Sequence, residues 1–281
     1  MNIVQNVAEF RQMISRAKAT GSGFGTNLFL ADSVLDGLVS TGKLFAQESE
    51  GAVIFLRRET SYDRVYYAVA HLSCLAVALS RLELTSGNVL ASSLVGRKDE
   101  VAPWAAEYAS AGFSHTTTLL RAQLAQTGQA PAEGVEADSG IEVARIEDAE
   151  EIHAALLANF DVYEDQIPSL EEIREAAASG TILLVREEDR IAALHYYIRT
   201  GLTSRSRYWL VLPEYRTRGT NKTIARSTYG YRLFRRYLND CLGCRRSIVW
   251  VNERNSRARQ IYSWYGYKED SIVDMVMIKR R

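Results

Sequence analysis

The chain has 281 residues, 47% of them hydrophobic and 24% charged, which is enough for two globular cores and far from the composition of a disordered or fibrous chain. Its 34 basic and 34 acidic side chains cancel, and no apolar run reaches the ~18 residues of a membrane-spanning helix; the best stretch, "VAHLSCLAVAL" at 69–79, is interrupted by His71 and Ser73. Three cysteines argue against a disulfide framework and point to a cytoplasmic protein.

The first 19 residues read as an amphipathic helix rather than a signal peptide, since they lack a long apolar core and a cleavage site. "KLFAQESEGAVIFLRRETSYDRVYYAVA" at 43–70 reads as a strand hairpin, and "NVLASSLVG" at 88–96 as a strand. A helix over 98–113 and a strand over 115–123 follow. The stretch after them, rich in Ala, Gly and Gln with Pro131 and no apolar periodicity, reads as a linker over 126–140 between a domain at 1–125 and a domain at 141–281.

Beyond the linker the pattern predicts β-α-α-β-β-β-α-β-α-β. "IEVARI" alternates as a strand, and the next helix carries acids in its first turn. Ser169 and Glu172 have capping-box spacing, and Gly180 stops that helix. Residues 181–200 read as two strands about a Glu-Glu-Asp turn, and "RYWLVLP" at 207–213 as a strongly apolar strand. A helix from about 222 to 239, a strand over 245–252, a helix from Asn255 and a last strand over 271–280 complete the order. Tyr108-x3-Gly112-Phe113 in the first half and Tyr262-x3-Gly266-Tyr267 in the second lie 154 residues apart, each between apolar strands, which suggests an internal repeat.

The charge is unevenly placed. From Arg199 onward there are 19 Lys+Arg against 6 Asp+Glu, so this third of the chain either meets something negative or neutralises the remainder across an interface. A strand that runs through a glycine-bearing loop into a helix offers backbone N–H groups and a helix dipole to an anion. In "YRTRGTNK" at 215–222, Arg216, Arg218 and Lys222 add cations, and Gly219 allows close backbone approach. The spacing is neither that of a P-loop nor GxGxxG. Cys241-Leu-Gly-Cys244 has no second pair or nearby His, so a helix-end turn is favoured over a metal site, and no metal is expected. His195 in "AALHYYI" is either a core histidine or a general base. Asp161, Glu164 and Asp165 form either a solvated loop or an acceptor contact.

The element order, the Pro-x-Tyr-Arg-x-x-Gly loop and the Asn-x2-Ala-x3-Tyr-x3-Gly-aromatic helix together resemble the GCN5-related N-acetyltransferase (GNAT) superfamily, over about 141–281. The resemblance implies an α/β (α+β) fold of mixed, mostly antiparallel twisted sheet flanked by helices. It also implies a tandem form whose degenerate N-terminal copy has lost its coenzyme A (CoA) loop. It implies a CoA phosphate site at Arg216, Arg218, Gly219, Thr220, Asn221 and Lys222, with Asn221 where the family carries a small residue. The backbone of Val211 and Leu212 would pair with the pantetheine arm, Asn255 would touch that arm, and Tyr262 would protonate the leaving thiolate. The expected activity is acyl transfer, with acetyl transfer favoured, from acetyl-CoA or another acyl-CoA to an amine of a small molecule or peptide. An aminoacyl-tRNA-dependent transferase and a non-catalytic CoA-binding regulator are the alternatives; nucleic acid is not favoured as a partner, and a homodimer is left open.

Overall fold

The computed structural model describes residues 1–28, 30, 32–82, 89–125, 140–216 and 229–280. The chain divides into two compact units, Met1–Leu120 with Ser271–Arg281, and Arg121–Asp270. The expected linker at 126–140 lies outside the described residues but for Gly140. The units are not the contiguous 1–125 and 141–281 of the sequence reading, because the last strand of the chain completes the sheet of the first unit.

In the first unit the elements are β1 (Asn2–Ile3), α1 (Val7–Ala19), β2 (Gly25–Thr26), α2 (Asp32–Ser40), β3 (Leu44–Ser49), β4 (Ala52–Arg58), β5 (Tyr62–Val69), α3 (Ser73–Ser80), β6 (Val89–Arg97), α4 (Lys98–Ser110) and the first part of β7 (Ser114–Ala125), whose end belongs to the second unit. The stretch 43–70 is therefore three strands rather than a hairpin. The second turn, at Glu59–Ser61, has no glycine to announce it. The β3, β4 and β5 pairs are antiparallel, while β5 and β6 are parallel. On one face of this sheet α1 buries Phe10, Met13 and Ala17 at helical spacing, against β4 and β5 residues such as Phe55 and Ala68. The other face packs Ile54, Val65 and Tyr67 against α3 and α4.

The second unit holds β8 (Glu142–Val143), α5 (Ala149–Asn159), α6 (Leu170–Ala178), β9 (Ile182–Glu187), β10 (Arg190–Thr200), β11 (Thr203–Val211), α7 (Tyr229–Asp240), β12 (Arg246–Asn252), α8 (Ser256–Trp264) and the start of β13 (Lys268–Lys279). The order β-α-α-β-β-β-α-β-α-β is as read from the sequence. Strands β8 to β11 are antiparallel neighbours, and β11 and β12 are parallel. Ser169 Oγ accepts the Glu172 N–H and Glu172 returns the bond, as the capping box predicts. The β9–β10 turn places Glu188 and Asp189 both at positive φ, the twist that a two-residue hairpin needs. Residues of β13 from Ile272 to Lys279 pair antiparallel with β6.

The repeated Tyr-x3-Gly-aromatic motif closes a helix in each unit. Gly112 N–H bonds the Ala109 carbonyl and Phe113 N–H the Tyr108 carbonyl; Gly266 N–H bonds Ser263 and Tyr267 N–H bonds Tyr262. Both glycines are left-handed, φ +85° and +86°, and each aromatic packs on the motif tyrosine at 4.9 and 5.7 Å. These are Schellman stops, and only glycine takes that φ without strain. Gly266→Ala is expected to cost about 1 kcal/mol of stability in a urea titration; an unchanged midpoint would show that the stop is not what holds the helix end.

Candidate functional site

Strand β11 is paired on both sides only at its start. Its parallel register with β12 runs from Thr203↔Arg246 to Ser206↔Val249 and ends there, while its pairing with β10 continues to Val211. The register against β10 slips between Tyr196 and Tyr197, making Arg207 an extra residue in β11. A bulge adds twist and bends its strand. It sits at the point where β11 and β12 part, so the second half of β11 is turned out as the wall of a cleft.

The alternation of the antiparallel ladder tells which groups face that cleft. Leu212 N–H bonds the Ala192 carbonyl, and its own carbonyl accepts Tyr215 N–H. Leu212 therefore lacks the free backbone groups that the sequence reading gave it. With period two, Trp209 and Val211 turn their N–H and C=O groups away from β10. The Val211 carbonyl on this edge accepts a bond from Arg216 Nε at 2.7 Å. Trp209, which the sequence reading did not select, has its indole N–H on the Gly230 carbonyl at 3.0 Å, near the start of α7.

Aromatic rings line the face of β11 toward α7 and α8. Trp209 packs on Phe234 at 4.6 Å and on Tyr262 at 5.8 Å, and Phe234 meets Tyr262 at 5.7 Å. Tyr262 is 9% exposed. Burial pushes its phenol well above the ordinary value, Tyr237 adds to the rise, and Ser206 opposes it. The phenol is thus protonated at neutral pH.

His195 is fully buried, with its ring stacked on Phe234 at 5.4 Å and its Nε2 2.9 Å from Ser206 Oγ. Burial lowers its pKa to about 3. It is neutral at pH 7 and has no surface from which to meet an acceptor amine, an arrangement that favours the core reading over the base reading. A buried neutral imidazole must remain uncharged to stay folded, so the native state binds fewer protons than the unfolded chain below the unfolded pKa of about 6.5. Stability should fall between about pH 6.5 and 3. His195→Gln should flatten that part of the profile in chemical denaturation. A wild-type profile no steeper than the variant's would place the titrating group elsewhere.

Asn255 is the N-cap of α8, its Oδ1 accepting the Ala258 N–H at 3.0 Å, so the Asn-x2-Ala part of the motif has a capping role. Arg218, Gly219, Thr220, Asn221 and Lys222 lie outside the described residues, as does the start of the helix expected from 222. In the loop after α5, Asp161 Oδ1 accepts the N–H groups of Tyr163 and Glu164, which gives that carboxylate a structural task. Asp165 is raised to about 6, mainly by burial. Cys241 and Cys244 are both buried in a turn closed by Cys244 N–H on the Cys241 carbonyl, and burial pushes the Cys241 thiol up to about 12. No helix among the described residues is long and apolar enough to cross a membrane.

No family model and no curated protein matches this sequence. Solved structures do match in fold. A GCN5-related N-acetyltransferase from Sphaerobacter thermophilus aligns with TM-score 0.57 at 14% identity over 82% of this chain and 76% of its own. One from Kribbella flavida aligns with TM-score 0.54 at 15% identity, over 87% of this chain and 92% of its own. A tandem GNAT protein from the clavulanic acid biosynthesis pathway aligns with TM-score 0.57 at 14% identity over 98% of this chain and 94% of its own, so the match spans both units. These alignments show that the chain carries the fold of the GCN5-related N-acetyltransferases, with the tandem protein matched across both units.

Proposed function

We propose that the second unit is an acyl-CoA-dependent N-acyltransferase, with acetyl-CoA as the favoured donor and an amine of a small molecule or peptide as acceptor. The observation that carries this reading is the outward edge of β11 beyond the bulge, where Trp209 turns its N–H and C=O, and Val211 its N–H, away from β10 at strand spacing. The pantetheine arm is a chain of amides, and such an edge takes it as it would take an added strand. The phosphates lie toward Arg216 and the loop through Lys222, and Asn255 stands at the start of the helix that carries Tyr262.

The amine lone pair attacks the thioester carbonyl, whose developing oxyanion is held by an N–H of the β11 edge. The tetrahedral species then collapses, the C–S bond breaks, and the thiolate takes a proton from Tyr262. The amine loses its own proton to solvent, and the Tyr262 phenolate recovers one from solvent to close the cycle. A protonated phenol on the cleft wall fits the acid role.

Arg216→Ala with Arg218→Ala is expected to weaken acetyl-CoA binding at least ~10-fold by calorimetry, since charge-assisted bonds contribute about 1.5–3 kcal/mol each. Unchanged affinity would remove the basic loop from the donor site.

A further inference from the structure

The first unit repeats the parting of strands but not the open edge. Strand β5 pairs with β6 only over Tyr62–Arg64, so Val65–Val69 would form the corresponding cleft wall. Its α4 tyrosine, Tyr108, lies 6.2 Å from Tyr67, much as Tyr262 lies 5.8 Å from Trp209. That matches Tyr67 with Trp209. Yet the β4–β5 register is unbroken from end to end, and the bulge of the second unit has no counterpart here.

The cleft is already filled. Strand β2 pairs with β5 through Gly25↔Val69 and Thr26↔Ala68. Next to it, Asn27 inserts its side-chain amide as one more peptide plane. Its Oδ1 accepts the Tyr67 N–H at 2.8 Å, and its Nδ2 reaches the Val65 carbonyl at 3.3 Å. An N–H and a C=O two residues apart on one strand edge are the pair that an added strand would use. The same Nδ2 lies 3.1 Å from Ser92 Oγ and 3.2 Å from the Ser93 carbonyl, which ties β5 to β6 across the gap. Thr26 Oγ1 donates to the Tyr67 carbonyl at 2.7 Å, and Ser92 Oγ lies 2.7 Å from the Tyr108 hydroxyl. Asn27 is 6% exposed. Only glycine fits at position 25, because a Cβ there would stand 1.9 Å from the Trp104 ring, itself stacked on Tyr67 at 5.2 Å.

We infer that Gly25–Asn27 is an internal strand that permanently occupies the pantetheine groove of the first unit, with the Asn27 amide in the place of a cofactor amide. The chain then has one donor site, in the second unit, and the first unit's groove is closed by covalent connection rather than by the mere absence of a phosphate loop. The comparison with a donor groove rests on the function proposed above; the closure itself does not, and it is tested without ligand.

Amide hydrogen exchange of the full chain separates the two. Without ligand, the Tyr67 amide should be protected like its β4 neighbours, while Trp209 and Val211 exchange faster. Asn27→Ala should speed Tyr67 exchange at least ~10-fold with β4 unchanged. Thr26→Val, a milder change, should speed it less and keeps the test alive if the first variant unfolds. Saturating acetyl-CoA should slow Trp209 and Val211 and leave Val65–Val69 as they were. Tyr67 exchanging as fast as a loop in the wild type, unaltered by either variant, or slowed by acetyl-CoA would overturn the closure. If Tyr67 behaves as expected and acetyl-CoA changes nothing at β11, the closure stands and the donor assignment of the second unit fails.

Discussion

Tyr262→Phe is expected to lower kcat about 10- to 100-fold while leaving acyl-CoA affinity unchanged. The ring keeps its packing on Trp209, Phe234 and Tyr267, so only a hydroxyl is lost. General-acid assistance is worth about 10²–10⁴-fold. Two considerations put this case at the low end: a thiol of ordinary pKa near 8.5 already leaves readily, and burial makes this phenol a weaker acid than a free one. Stability should move by no more than about 1 kcal/mol, the usual net worth of one hydrogen bond. Steady-state kinetics with the true acceptor, beside a direct donor titration, decides the matter. Wild-type turnover would leave Tyr262 as a core aromatic and the C3 residue of a helix stop.

The largest stability effect should come from Phe234→Ala, about 3–5 kcal/mol. Phe234 is fully buried and its ring meets six others: His195, Trp209, Tyr237, Tyr262, Tyr265 and Tyr267, at centroid distances from 4.5 to 5.9 Å. Such a site cannot collapse around an alanine without moving β10, β11 and α8 together. A loss of that size is a large share of the 5–15 kcal/mol that holds a typical domain. The same change should loosen Trp209 and so weaken donor binding. Guanidinium unfolding that shows a loss under 1 kcal/mol would mean that the cluster repacks and is not the keystone of the cleft wall.

The second unit was more legible than the first because its signals are local. Ser169 and Glu172 are three residues apart, the β9 and β10 strands are separated by a two-residue turn, and Gly266 marks a helix end by its φ. The helix motif that carries the family resemblance is legible in part because it encodes helix capping. Asn255, Gly266 and Tyr267 are helix-capping residues, and the first unit keeps the Gly-aromatic stop in a groove that is closed. What could not be read depends on pairing between distant segments. The sequence points to Val211 and Leu212, but strand phase toward the cleft is fixed only by the register with β10, which turns Leu212 inward and Trp209 outward. The end of the chain could not be assigned to the first unit, since the β6–β13 pairing joins residues nearly two hundred positions apart. Residues 25–27 show no periodicity at all; their role rests on a side-chain amide that imitates a backbone.

The central claim is tested most directly by calorimetric titration of the full chain with acetyl-CoA. One molecule should bind per chain, with affinity reduced at least ~10-fold when Arg216 and Arg218 are both alanine and unchanged in Tyr262→Phe. No binding of acetyl-CoA or of any longer acyl-CoA, or saturation at two molecules per chain, would contradict the account.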